Sequence, residues 1–304
     1  MKSWLWMIAV WGAGAAASAA PLRVLATTPI LADVASAVAG AGAEVEALMP
    51  PDADAHAFHP RPADAARIER ADVILLNGFG LEDSLAPLLG SAGAGKQVTV
   101  SEGLSPRRLA VPCAACDGHA QGHHHHAEGA PDPHVWMNPL HVAHWAERIA
   151  EALAARDAGG ADGYRARAAA YRERMDELDR WIRAEVAALP ESRRRLVSDH
   201  ESFGYFCDRY GFTQENSILP GFSTLAQPSA RDIARLEDLL RSERVPAIFV
   251  GMTTASPLPG RVAGDAGIRV VKVYTCTLSP AGGPASDYPS LMRHNVRAMV
   301  EALK

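Results

Sequence analysis

Histidine and cysteine side chains stand next to the ends of predicted strands and helices, at positions where they could bind a metal ion. His56 and His200 follow predicted strands, His134 precedes a predicted helix, and Cys276 follows the last predicted strand. Imidazole and thiolate are the groups that zinc favours. In doubly wound sheets, binding sites lie beyond the carboxyl ends of the strands. A single histidine is more often a hydrogen-bonded structural residue. Three in comparable positions, with a thiol as a fourth, indicate a metal site.

Five of the 12 histidines stand in one short segment between residues 119 and 126. They are His119, His123, His124, His125 and His126. The surrounding residues 113–133 are rich in Ala, Gly, His and Asp without periodicity, which predicts a surface loop. Clustered imidazoles can hold zinc weakly at high local concentration and pass it inward. A polar loop without function is the alternative. Cys113 and Cys116 could form a disulfide or add to loop coordination.

Composition limits the other function classes. The 30 Lys and Arg residues fall short of the 35 Asp and Glu residues, so the charge balance argues against nucleic-acid binding. Residues 1–19 combine Lys2, an apolar run and small residues near Ala19, which predicts a cleaved secretory signal peptide. No cysteine follows the expected cleavage site. We therefore expect an exported periplasmic protein without a lipid anchor.

Short β-branched runs alternate with helical patterns along the rest of the chain. This alternation predicts an α/β fold, with parallel sheets that carry helices on both faces. The predicted strands are Leu22–Ala26, Val45–Met49, Val73–Leu76, Gln97–Val100, Arg195–Ser198, Asn216–Leu219, Ala247–Val250 and Arg269–Tyr274, and the helices between them are Ile30–Val38, Ala63–Arg70, Ser202–Tyr210 and Arg231–Glu243.

A single apolar stripe runs from Asp162 to about Ala188, with apolar residues at spacings of three and four. It predicts one helix of about 27 residues, roughly 40 Å long, which exceeds a small lobe. The interpretation is a strut between two lobes, with a coiled-coil dimer seam as the alternative. The predicted organisation is an N-terminal lobe over 20–160 that includes loop 113–133, a linking helix over 161–190 and a C-terminal lobe over 191–304.

Several motifs together resemble the zinc- and manganese-specific substrate-binding proteins of ABC importers. The motifs, in order, are DAHAFHP at 54–60, ADVILLNGFGLE at 71–82, DPHVW at 132–136, HESFGYF at 200–206, YTCTLSP at 274–280 and RHNV at 293–296. The resemblance implies two Rossmann-like (βα)4 lobes, each with a parallel sheet, joined by a long rigid helix. It also implies that the metal is buried between the lobes.

The resemblance assigns the first three ligands to His56, His134 and His200. Manganese-type members usually have Glu and Asp at the third and fourth positions, and nitrogen ligands suit zinc better, so Zn²⁺ is expected over Mn²⁺. Cys276 stands where the family has Asp. Its thiolate could complete a His₃Cys site, or Cys276 could be a buried apolar residue or pair with Cys207.

Neighbouring polar residues are candidates for supporting roles. His59 falls where many members of the family have a polar residue, and a position at the rim of the site is expected. Asp132 and Glu201 could orient an imidazole, as could Asp199.

The expected function is that of a monomeric, non-enzymatic solute-binding protein that passes zinc to an ABC permease of the inner membrane. A periplasmic zinc chaperone is a further candidate partner at the His-rich loop. Since the ligands must be deprotonated, affinity should fall as the pH drops. The alternatives are a zinc-dependent hydrolase, for which Glu201 is the one obvious base, and a metal chaperone or adhesin not tied to transport.

Overall fold

The N-terminal lobe of the computed structural model is a parallel sheet with helices on both faces. The model describes residues 20–51, 53–108, 129–219, 221–242 and 245–304, so the predicted signal peptide and the five loop histidines lie outside the described residues. The elements of this lobe are β1 (Leu22–Ala26), α1 (Pro29–Ala39), β2 (Ala43–Ala47), α2 (Pro62–Arg70), β3 (Val73–Leu76), α3 (Ala86–Ala92), β4 (Gln97–Thr99) and α4 (Pro139–Ala154). The strand order is β2-β1-β3-β4.

A single helix, α5 (Ala161–Ala187), leads from this lobe to the next and confirms the predicted strut. It buries one stripe that includes Tyr164, Met175 and Ile182. At one end Arg167 donates to the carbonyls of Val38 and Ala39 in the N-terminal lobe, at 2.6 and 2.9 Å.

The other end of α5 is attached to the C-terminal lobe. The carboxylate of Asp179 accepts hydrogen bonds from Arg209 at 2.7 and 2.8 Å and from the Tyr210 hydroxyl at 2.8 Å. Both partners lie in the next helix along the chain, so α5 is held at each end by a different lobe.

The C-terminal lobe repeats the topology of the first. Its elements are β5 (Arg195–Ser198), α6 (Gly204–Tyr210), β6 (Thr213–Ser217), α7 (Ala230–Ser242), β7 (Ala247–Gly251), α8 (Leu258–Ala266), β8 (Arg269–Val273) and α9 (Tyr288–Leu303). The strand order β6-β5-β7-β8 is equivalent to that of the first sheet, and all pairings are parallel. The predicted fold class is thus confirmed. Among the helices of the described residues, none is both long and apolar enough to span a membrane.

Two strands begin and end earlier than predicted. Strand β2 was expected at Val45–Met49, but its parallel register starts where Ala43 pairs with Leu22. Strand β6 was expected near Asn216–Leu219 and instead comprises the polar residues Thr213–Ser217. It lies at an edge of the sheet, where a strand has one partner and needs no apolar run.

Candidate metal centre

Four donor side chains from distant parts of the sequence meet between the two lobes. The ligand atoms of His56, His134, His200 and Cys276 all lie within 4.8 Å of one another. Nε2 of His134 lies 3.0 Å from Nε2 of His56 and 3.3 Å from Nε2 of His200. Sγ of Cys276 lies 3.7 Å from Nε2 of His56. His134, His200 and Cys276 are buried, and His56 is partly exposed.

Each lobe contributes two of the four donors from loops at the carboxyl edge of its sheet. His56 follows β2, and His134 directly precedes a short 3₁₀ turn before α4. His200 follows β5, and Cys276 follows β8. Parallel strands bring such loops to one edge, so two facing sheets can enclose a small ion between them.

Two of the imidazoles are each oriented by a different buried aspartate. Oδ1 of Asp132 lies 2.9 Å from Nδ1 of His134, and Oδ1 of Asp199 lies 2.9 Å from Nδ1 of His200. Each carboxylate also accepts the backbone N–H of its histidine at 2.9 Å. These contacts place Nδ1 of each ring against its aspartate and direct Nε2 of the ring toward the centre.

The separations between the four donors can be compared with those expected around a zinc ion. Zinc bound at about 2.0 Å from nitrogen and about 2.3 Å from sulfur would separate its donors by roughly 3.3–3.6 Å in a tetrahedron. Three of the six separations, at 3.0, 3.3 and 3.7 Å, are close to that geometry, and all six are within 4.8 Å.

Asp199 is held as an anion by the backbone around it. Its second oxygen accepts the Gly251 N–H at 3.0 Å and a hydrogen bond from the Thr254 hydroxyl. A Cβ on Gly251 would lie 2.6 Å from Oγ1 of Thr275, so glycine permits this close approach. Burial alone would raise the pKa of Asp199, but His200 and these hydrogen bonds hold it below its usual range.

The charge of Asp199 acts in turn on the ligand beside it. Burial opposes protonation of His200, but the Asp199 charge and hydrogen bond outweigh it and raise the pKa of His200 to about 10. The negative charge of Asp199 would also attract a metal cation bound to this imidazole. Burial raises the pKa of the Cys276 thiol, and the neighbouring His200 opposes that rise.

Asp132 is placed in a less stabilised environment. Its second oxygen lies 3.5 Å from Nη1 of Arg107, whose Nε donates to Asp208 at 2.6 Å. Burial raises the pKa of Asp132 to about 6 despite the N–H of His134 and the Arg107 charge. A Cβ on Gly204 would lie 1.8 Å from Nη1 of Arg107, so a larger residue at the start of α6 would displace this guanidinium.

The remaining sequence candidates lie around the centre. His59 is exposed and is not part of the four-donor group. Asp199, rather than Glu201, contacts the ring of His200, while burial raises the pKa of the partly buried Glu201. Cys207 and Cys276 are both buried free thiols. Cys113 and Cys116 lie outside the described residues.

Several residues that support the centre carry no recognisable sequence signal. Arg107 joins the lobes through its contacts to Asp132 and Asp208. Tyr205 accepts the Arg107 N–H at 3.0 Å and donates to the Asp132 carbonyl at 2.8 Å. These partners are distant in the sequence, and sequence spacing does not reveal them. The motifs DPHVW, which includes Asp132, and HESFGYF, which includes Tyr205, pointed to this neighbourhood but not to these contacts.

Comparison with known proteins places the chain among metal-uptake proteins. A family model described as zinc-uptake complex component A, periplasmic, matches residues 24–302. The manganese-binding lipoprotein MntA of Halalkalibacterium halodurans is 30% identical over 283 residues, covering 93% of this chain and 88% of that protein. The zinc-binding protein TroA of Treponema pallidum is 30% identical over 301 residues, covering 95% and 91%.

A solved structure agrees with these sequence relationships. The periplasmic zinc-binding protein TroA of Treponema pallidum aligns with a TM-score of 0.81 and 26% identity, over 93% of this chain and 99% of that one. Fold, motifs and family model therefore lead to one conclusion: the chain belongs to the zinc-uptake complex component A family, the metal-specific substrate-binding proteins of ABC importers.

Proposed function

We propose that this protein captures one zinc ion between its lobes with His56, His134, His200 and Cys276 and delivers it to an ABC permease. The observation that carries the proposal is the convergence of three imidazole Nε2 atoms and one thiol within 4.8 Å. Four protein donors leave no open position on a tetrahedral ion, which suits binding of cargo rather than catalysis. Zinc is the transported substrate in this proposal, and the protein is not an enzyme.

The choice of zinc over manganese rests on the chemistry of the donors. The relatives include proteins named for either metal, so membership of the family does not decide between them. Three nitrogens and a sulfur favour zinc, whereas manganese favours carboxylate oxygen. Asp132 and Asp199 each contact a ligand ring instead of entering the four-donor group.

The histidines of residues 119–126 are proposed to act as weak additional zinc sites. Arg108 and Pro131 form an antiparallel bridge that joins the two ends of the segment between them. Pro131 lies three residues before His134 in the chain, so the paired ends of the segment lie close to one of the proposed ligands. Zinc held weakly there would be concentrated near the centre, and a periplasmic chaperone would have a place to deliver it.

Metal titration of the metal-free mature protein tests the proposal. Wild type should bind one zinc tightly and prefer it to manganese, and His200→Ala should weaken that site by more than about 100-fold. His294→Gln is the matched control, because His294 packs on the Tyr274 ring outside the four-donor group. Deletion of residues 117–128 should remove only the weaker sites.

Two outcomes would contradict the proposal. If His200→Ala bound one zinc as tightly as His294→Gln, the proposed centre would be wrong. If wild type preferred manganese in direct competition, the assignment of zinc would be wrong even though the position of the site could stand.

A further inference from the structure

The four proposed ligands form one site only if the two lobes keep a fixed spacing. His134 belongs to the N-terminal lobe and Cys276 to the C-terminal lobe. The indole of Trp136 crosses the boundary between them. Its Nε1 donates to the carbonyl of Thr275 at 2.6 Å, and Trp136 is only 2% exposed. The bond therefore connects the residue two positions after one proposed ligand to the residue directly before another.

A second buried hydrogen bond fixes the backbone of Trp136 itself. The hydroxyl of Tyr288, at the start of α9, donates to the Trp136 carbonyl at 2.6 Å. Tyr288 is fully buried. The Trp136 ring also packs against His134, with the two ring centroids 5.3 Å apart. Trp136 is thus held from both sides and cannot turn away from Thr275 without leaving buried polar groups unpaired.

We propose that Trp136 is a positioning residue for the metal site, holding the Cys276 thiol in register with His134 through the Thr275 carbonyl. This inference rests on the proposed function, since it assumes that Cys276 binds the metal. A bond already present without metal reduces the ordering that binding must impose on the lobes, so it raises affinity. It acts on Cys276 more directly than on the histidines, because Thr275 and Cys276 share a peptide unit.

Trp145 offers a matched comparison within the same protein. Its indole N–H donates to Oγ of Ser101 at 3.0 Å, and Trp145 is fully buried. Both partners of this bond belong to the N-terminal lobe. The substitutions Trp136→Phe and Trp145→Phe therefore remove the same group from similar surroundings, but only the first breaks a bond between lobes.

The experiment is a cobalt and zinc titration of wild type, Trp136→Phe and Trp145→Phe as metal-free mature proteins. Cobalt reports thiolate ligation through its sulfur-to-metal charge-transfer band. Trp136→Phe should lose much of this band per bound cobalt and bind zinc at least about tenfold more weakly. Trp145→Phe should keep the band and bind zinc within about threefold of wild type, even where both variants lose similar stability.

The possible failures are separable. If wild type gave no thiolate band or no tight zinc site, the proposed function would fail. If wild type gave both and the two variants shifted affinity and band equally, Trp136 would have a purely structural role and this inference would be overturned. If Trp136→Phe does not fold, Tyr288→Phe is tested instead, because it removes the bond to the Trp136 carbonyl. The charge-transfer band per bound cobalt should then be weaker in Tyr288→Phe than in wild type. An unchanged charge-transfer band in a folded Tyr288→Phe would also overturn the proposal that Trp136 positions Cys276.

Discussion

Oδ1 of Asp199 lies 2.9 Å from Nδ1 of His200, and both side chains are buried beside the proposed metal centre. The other lobe contains an equivalent pair, Asp132 and His134, with the same 2.9 Å contact. Each lobe therefore supplies one imidazole whose Nδ1 lies against a carboxylate and whose Nε2 faces the proposed centre. The two pairs differ in charge environment, because Asp199 is the more strongly stabilised anion.

Replacing Asp199 by asparagine should weaken metal binding through His200 alone. An amide keeps the shape of the side chain but loses the charge that fixes the tautomer and raises ligand basicity. We expect the zinc dissociation constant to rise by about 10–100-fold. Asp72→Asn, at the surface pair with Arg23, is the control and should leave binding unchanged. Calorimetric titration measures both, and equal affinities would exclude an orienting role for Asp199.

Replacing Cys276 by aspartate should move the metal preference toward manganese. The change exchanges the one sulfur donor for oxygen while keeping a negative charge, and carboxylate is the harder ligand. The ratio of zinc to manganese affinity, measured by competition, should fall by at least about tenfold relative to wild type. Cys207→Ala removes the other buried thiol and should leave the ratio as it was. A ratio unaffected by Cys276→Asp would show that sulfur does not bind the metal.

Features that depend on local sequence patterns could be predicted, whereas contacts between the lobes could not. Strand-to-helix alternation and the single stripe of α5 follow from local periodicity, so the confirmed fold class and linking helix were accessible. The four candidate donors could be predicted because their residue types suit a metal, three of them follow predicted strands, and the family motifs include His56, His134 and His200. Trp136 and Arg107 were not, because their roles arise from contacts with the opposite lobe, and the periodicity within each lobe carries no information about such partners.

Strand boundaries illustrate a second limit. Leu48 and Met49 belong to the β-branched run that predicted β2, and their N–H groups still bond to the carbonyls of Ala26 and Thr27. The run was therefore correctly placed next to β1, but the register set by pairing of Ala43 with Leu22 decides where the strand begins. Hydrophobicity reports burial, whereas the limits of a parallel strand depend on its neighbour.

Loosening the loop that carries His56 should accelerate metal release. His56 is the partly exposed member of the four donors, and its N–H donates to Oδ1 of Asp54 at 3.0 Å. The Thr224 hydroxyl of the opposite lobe donates to Oδ2 of the same carboxylate. Removing that hydroxyl in Thr224→Val should raise the zinc dissociation rate by about 3–10-fold, since a bond of this kind contributes roughly 1 kcal/mol.

Stopped-flow transfer of zinc to a chelator measures that rate. Ser223→Ala is the matched control from the same loop, because its hydroxyl accepts the Leu225 N–H and, among the described residues, no hydrogen bond joins it to the His56 loop. Zinc should therefore dissociate faster from Thr224→Val than from Ser223→Ala. A Thr224→Val rate no faster than that of Ser223→Ala would show that this contact does not hold the His56 loop closed.

A hydrogen bond between Asp33 and Tyr288 also joins the lobes, and the contribution of Asp33 to stability should depend on pH. Oδ2 of Asp33, on α1, accepts the backbone N–H of Tyr288 at 2.9 Å. Burial raises the pKa of Asp33 from 3.8 to about 6, with the nearby Asp287 adding to the rise and Arg174 and the Tyr288 N–H opposing it. The folded protein thus holds this proton more tightly than the unfolded chain. The contribution of Asp33 to stability falls as the pH rises from about 4 to 6 and stays constant above.

Asp33→Asn should therefore stabilise the metal-free protein at pH 8 and have little effect near pH 4. Asparagine keeps an acceptor for the Tyr288 N–H without the charge, so the expected gain at pH 8 is about 1–3 kcal/mol in the free energy of unfolding. Urea denaturation at the two pH values measures it. Asp287→Asn is the control: Asp287 caps α9 by accepting the Ser290 N–H at 2.7 Å, and the loss of a negative charge at a helix start should be neutral or destabilising. A gain for Asp33→Asn that was equal at both pH values would show that Asp33 is not protonated in the folded state between these limits.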